Sequence, residues 1–113
     1  MKDYLFLFRG GLDFTKAPAE EVQQAMNKWI KWVGELTQKG IYNGGERLVR
    51  NDAAVIRGSA KNIVDGPYTE SKEIIGGYIS IKANDLKEAI EISKDCPIFN
   101  YDGNVEIREV AKM

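Results

Sequence analysis

A chain of 113 residues with 16 basic and 17 acidic side chains carries a net charge of −1, so it lacks the basic excess that neutralises phosphates, and no nucleic acid is expected as a direct partner. Its length and ordinary composition suit one domain, residues 1–113, built around a single core. It has no histidine and one cysteine, Cys96, which excludes imidazole-based catalysis, histidine-ligated zinc and an internal disulfide, and leaves no metal site and no cofactor to expect.

The first apolar run, Tyr4 to Phe8, is closed by Gly10-Gly11 and reads as a strand buried on both faces. It is too short for a membrane span, as is every later run, so the expected location is the cytoplasm, away from membranes. From Pro18 the spacing changes. Val22, Met26, Trp29, Val33 and Leu36 recur at four and three, widened by Ile30 and Trp32, and predict a long amphipathic helix that ends at Gly40. Ala17 offers no cap, and Pro18 suits the first turn.

Residues 41–58 predict a strand that is bulged or broken at Gly44-Gly45 and Asn51-Asp52 and then resumes, with a turn at 58–62 and a brief return at Ile63-Val64. Gly77 to Ala83 alternates with period two, placing Ile79, Ile81 and Ala83 on one face and Tyr78, Ser80 and Lys82 on the other. Asp85 and Glu88 form a capping-box pattern for a second helix with Leu86, Ala89, Ile90 and Cys96 on its apolar face, stopped by Pro97. Val105 to Val110 alternates as a last strand.

This order predicts a ferredoxin-like α+β fold, βαββαβ, with both helices on one face of an antiparallel sheet. Tyr78, Ser80, Glu106 and Arg108 then point to the open face, together with part of an apolar first strand. A face of that kind suits two sheets packed together in a homodimer with a cleft between them.

The run Asp65-Gly66-Pro67-Tyr68-Thr69-Glu70-Ser71-Lys72-Glu73, followed by Gly76-Gly77-Tyr78, resembles the signature of the DGPF branch of the YciI-like (YCII-related) family. The Trp29 helix ending in Gly40, Gly44-Gly45-Glu46, the Asp85-Leu86 helix ending in Cys96-Pro97 and the closing Val105-Glu106-Ile107-Arg108 are similar in order and spacing. The resemblance implies a dimeric α+β barrel. For part of the branch it also implies a role beside extracytoplasmic-function sigma factors in transcription regulation. Better-studied relatives are proposed to use a His-Asp pair. Their histidine falls near Trp29, and without histidine that machinery does not carry over.

Two readings of function follow. In one, the chain is a small-molecule-binding or regulatory module, with Asp65, Tyr68, Lys72, Glu73, Tyr78, Trp29 and Arg108 as candidate ligand-facing residues. Gly66, Pro67, Gly76 and Gly77 then shape the backbone. In the alternative it is a small cofactor-independent enzyme, with Asp65 or Glu73 as general base and Tyr68, Tyr78 or Lys72 orienting a carbonyl or carboxylate. Each residue also has a plainer use: a turn for Asp65, core for Trp29, solvated charge for Lys72 and Glu73, pairing with Glu106 for Arg57 or Arg108, and an inert core thiol for Cys96.

Overall fold

A computed structural model describes residues 1–65 and 74–113, positions 64 and 65 by their backbone only. In chain order the elements are β1 (Lys2–Arg9), α1 (Ala19–Gln38), β2 (Tyr42–Arg47), β3 (Ala54–Arg57), β4 (Asn62–Asp65), β5 (Ile75–Ala83), α2 (Leu86–Ser93) and β6 (Asn104–Glu109), with a 3-10 helix at Pro97–Tyr101. Four strands form one antiparallel sheet in the order β2-β5-β1-β6. β1 and β2 therefore run parallel with β5 between them, the ferredoxin-like arrangement.

Alternation along β1 and β5 sorts the sheet into two faces. Tyr4, Phe6 and Phe8 are buried with their neighbours Ile81, Ile79 and Gly77 directly opposite, because opposed residues of an antiparallel pair share a face. Val105 and Ile107 join them from β6, across from Phe8 and Phe6. Trp32 and Leu36 of α1 and Ala89 of α2 complete the core. The phenylalanines and Tyr4 of β1 thus all lie under the helices, while Leu5, Leu7, Tyr78 and Ser80 are half-buried on the other face.

The first helix buries most of the predicted stripe, with Val22 and Val33 partly buried, and departs from it at two positions. Ala25, Trp32 and Leu36 are buried and Trp29 packs beside them, whereas Met26 and Ile30 are 39% and 65% exposed. Pro18 is the cap residue rather than part of the first turn, with no side-chain hydrogen bond to the free amides, and Glu20 and Glu21 supply negative charge there. At the other end, Gly40 at φ 74 closes a Schellman motif: the Ile41 amide donates to the Leu36 carbonyl at 3.2 Å and the Gly40 amide to Thr37 at 3.0 Å.

The second helix starts where the capping pattern places it. The Glu88 amide donates to Asp85 Oδ1 at 2.8 Å, and the Glu88 carboxylate accepts the Asn84 amide at 3.0 Å. It ends at Ser93, before Cys96, and its buried side runs through Ala89 and Ser93, leaving Leu86 50% exposed.

The region 41–58 is not one interrupted strand. β2 shifts register between Tyr42 and Gly44 and stays in the main sheet. The chain then leaves through residues 48–53, where Asp52 takes a left-handed φ of 62, and β3 pairs with β4 as a separate hairpin. Ile56 and Ile63 face each other across that hairpin, 65% and 71% exposed.

Phe6, fully buried at the centre of β1, is the side chain on which this packing converges. Phe6→Ala should destabilise the fold by about 3–5 kcal/mol, the usual cost of emptying a phenylalanine site, measured as a lower urea midpoint with an unchanged slope.

Candidate functional site

One end of the helix-covered face of the sheet carries no bulk. Gly45 and Gly77 occupy inward positions of β2 and β5, and a Cβ at either would strike the neighbouring strand: the Tyr78 carbonyl oxygen for Gly45, and the Glu46 carbonyl oxygen, 2.8 Å away, for Gly77. The strands approach closely because these residues lack side chains, and both glycines line an open space between the sheet and the first helix.

That space is a cavity of about 540 Å³, within the range of small-molecule sites. Its floor is Phe8, Gly45, Gly77 and Ile79, and its helix wall is Met26, Trp29 and Ile30. Leu12, Phe14 and Thr15 from the β1–α1 connection line it, as do Leu48, Val49, Arg50 and Asn51 from the β2–β3 connection. Ile98 and Tyr101 of the 3-10 helix contribute from the far side. The inner wall is rigid. Phe8 meets Trp29 edge-on at 5.0 Å between ring centroids, and Trp29 meets Trp32 at 5.7 Å in the same manner, contacts worth about 0.5–1.5 kcal/mol each beyond their burial.

Two contacts tie the lining connections to each other. Arg50 Nε lies 3.6 Å from Asp13 Oδ1, and the Arg47 guanidinium sits over the Phe14 ring, 5.0 Å from its centroid. Asp13 also accepts hydrogen bonds from the Thr15 hydroxyl at 2.6 Å and the Thr15 amide at 3.0 Å. The Thr15 hydroxyl, and then its amide and Arg50, hold the Asp13 carboxyl below its ordinary value of 3.8.

The residues singled out from sequence fall in different places. Trp29 lines the cavity and Gly76 and Gly77 border it. Tyr78 is also among the lining residues, while strand alternation with its buried neighbours directs its side chain to the opposite face of the sheet, across from Leu7 and Glu46. Arg108 is on that opposite face too, 3.2 Å from Glu106, which also pairs with Arg9 at 2.7 Å. Arg108, and secondarily Arg9, lower the Glu106 carboxyl. Asp65 ends β4, its backbone paired with Ala54, and its side chain lies outside the description, as do Gly66, Pro67, Tyr68, Lys72 and Glu73. Cys96 is buried, and burial pushes its thiol up to about 12, which makes it unreactive. Among the described residues no cluster of His, Cys, Asp or Glu could hold a metal ion, and no helix is long and apolar enough to cross a membrane.

Arg47, Arg50 and Phe14 were not foreseen as site residues. Their only sequence signal was indirect: Gly44-Gly45 inside a strand pattern marks a close backbone approach, and the arginines follow directly after it.

The family model for the YCII-related domain matches residues 11–113. No curated protein matches the chain. Among solved structures it is similar to the 5-chloro-2-hydroxyhydroquinone dehydrochlorinase (TftG) from Burkholderia phenoliruptrix AC1100, in complex with 2,5-dihydroxybenzoquinone. The TM-score is 0.51 at 10% identity, over 96% of this chain and 93% of that one. At that identity the likeness is one of fold.

The Asp13 contacts set a pH dependence. Folding favours the ionised carboxylate, so its contribution is complete above about pH 4 and is lost as pH falls through the lowered folded value. Urea titrations should find Asp13→Asn less stable than the parent at pH 7, with the gap closing below pH 3.8; a gap independent of pH would mean that the carboxylate charge plays no part.

Proposed function

We propose, for a chain that belongs to the YCII-related domain family, that it is a small-molecule-binding module whose site is the cavity between the sheet and α1. The observation that carries this reading is the cavity itself: about 540 Å³, walled by Phe8, Phe14, Trp29 and aliphatic side chains, with its two loop walls fastened by Asp13–Arg50 and Phe14–Arg47. A cavity with rigid aromatic edges and a few polar groups at one side suits a ligand of one or two rings, since edge-to-face packing gives orientation as well as burial. A regulatory use of that binding, linked to sigma-factor transcription, accords with the DGPF-like run. No cofactor is needed for it.

A cofactor-independent enzyme is the second reading, favoured by the fold likeness to a dehydrochlorinase that holds a dihydroxybenzoquinone. Carboxylate acid-base chemistry inside the cavity fits less well. Glu46 is the one carboxylate residue among the described lining, and strand alternation directs its side chain to the other face with Tyr78. Tyr42 and Tyr101 are phenols of the described wall.

The same proposal includes a homodimer formed through the open face of the sheet. Leu5 and Leu7 lie on that face beside the Arg9–Glu106–Arg108 group, and a two-fold interface brings such a mixed patch onto its own copy.

Two measurements test these statements. Thermal-shift screening with neutral and acidic aromatic compounds should raise the melting temperature in a concentration-dependent way. Leu48→Glu, on the cavity rim and 43% exposed, should abolish the shift while leaving the unliganded melting temperature within a few degrees; no shift from any compound would remove the cavity reading. Light scattering at micromolar concentration should return twice the 12.7 kDa chain mass, and a mass of one chain would refute the dimer.

A further inference from the structure

We infer that the cavity selects aromatic molecules that carry an anionic group, and that Arg47 is the residue that reads the charge. This rests on the cavity being a binding site and adds the chemical class of its ligand.

Arg47 stands opposite Gly77 on β2, on the inward, apolar face of the sheet. The other described arginines of the main sheet and its connections have acidic partners: Arg50 pairs with Asp13, and Arg9 and Arg108 share Glu106. For Arg47 the one contact among the described residues is the face of Phe14, 5.0 Å from the guanidinium carbon to the ring centroid. A cation held over an aromatic face in this way keeps its N–H groups available to a further partner, because the ring accepts none of them in a conventional hydrogen bond. Those groups form a planar fork that a carboxylate or phenolate meets with two parallel hydrogen bonds. Arg47 is exposed at the cavity wall, and with no carboxylate partner among the described residues its guanidinium can receive an anion carried in by a ligand.

The rest of the cavity dictates the body of that ligand. Arg47 and its strand neighbour Gly77 both line the cavity, and Phe8 and Trp29, edge to face with each other, line it as well. An anionic head at Arg47 therefore places an attached ring system against Trp29, Met26 and Ile30. Arg50 does not compete for the head group because Asp13 neutralises it. Specificity thus comes from one free guanidinium rather than from a general positive field, in keeping with a net charge of −1.

The test compares two probes of the same shape, 2-naphthoate and 2-naphthalenemethanol, by isothermal titration calorimetry with the full chain at pH 7. The acid should bind at least about tenfold more tightly than the alcohol, the margin a charge-assisted hydrogen bond supplies. Arg47→Met, which keeps the stem over Phe14, should remove that margin and leave the alcohol affinity unchanged. Arg47→Lys should retain part of it, and Arg108→Met on the opposite face should retain all of it. Circular dichroism melts verify that each variant is folded. If the two probes bind equally, or if Arg47→Met keeps the margin, charge selection by Arg47 is wrong while the cavity remains a binding site. If neither probe binds, both the inference and the cavity reading fall.

Discussion

The contact between Phe8 and Trp29 governs the hollow half of this molecule. Phe8 is the last inward aromatic of the central strand, and Trp29 is the point at which α1 meets it, edge to face at 5.0 Å. Trp32 locks Trp29 from behind. Toward Leu36 the helix lies down on a conventional core of Phe6, Ile79 and Ile81; toward Met26 and Ile30 it stands over glycines and leaves a void. Large side chains on one side of Trp29 and absent side chains on the other are enough to make a helix-covered sheet solid at one end and hollow at the other, because close packing tolerates such a gap only where the wall cannot collapse. The paired aromatics prevent that collapse.

The glycines have a double role that a strand-propensity argument treats as weakness. Gly45 and Gly77 let β2 and β5 approach closely, and a methyl group at either would push the strands apart. Their absent side chains are also the cavity floor. The loop walls gain definition from ordinary means: an Asp13 turn closed by Thr15, an ion pair to Arg50 and a guanidinium stacked on Phe14. None of these is strong alone, since exposed ion pairs contribute little, but together they fix two connections that would otherwise be independent.

Much of the fold was legible because its signals are local and periodic. The alternation of β5, the stop at Gly40, the capping pattern at Asp85 and the order of elements all follow from backbone rules that act within a few residues. The misreadings occurred where the local pattern was ambiguous. Met26 and Ile30 fit a helical stripe as well as Ala25 and Trp32 do, and only the cavity above Gly77 explains why they stay exposed. Residues 41–58 contain two strands with Asn51-Asp52 between them, and sequence has no means of showing that the second half joins a different sheet. The site was the least legible part. Its charged residue is recognisable only once Phe14, thirty-three positions earlier in the chain, is placed beneath it.

The two faces of the sheet divide charge in opposite ways. On the open face Glu106 lies between Arg9 and Arg108, and the two arginines hold its carboxyl below its ordinary value. On the covered face Arg47 has no acidic partner among the described residues, while Arg50, three residues on, is paired with Asp13. Ions already paired within a chain lose less when they are desolvated than unpaired ions do. A cavity that leaves one guanidinium unbalanced is suited to a ligand that supplies the missing charge. The same strand alternation that sets Tyr78 and Glu46 outward and Gly45 and Gly77 inward therefore separates the ion-paired face from the hollow one.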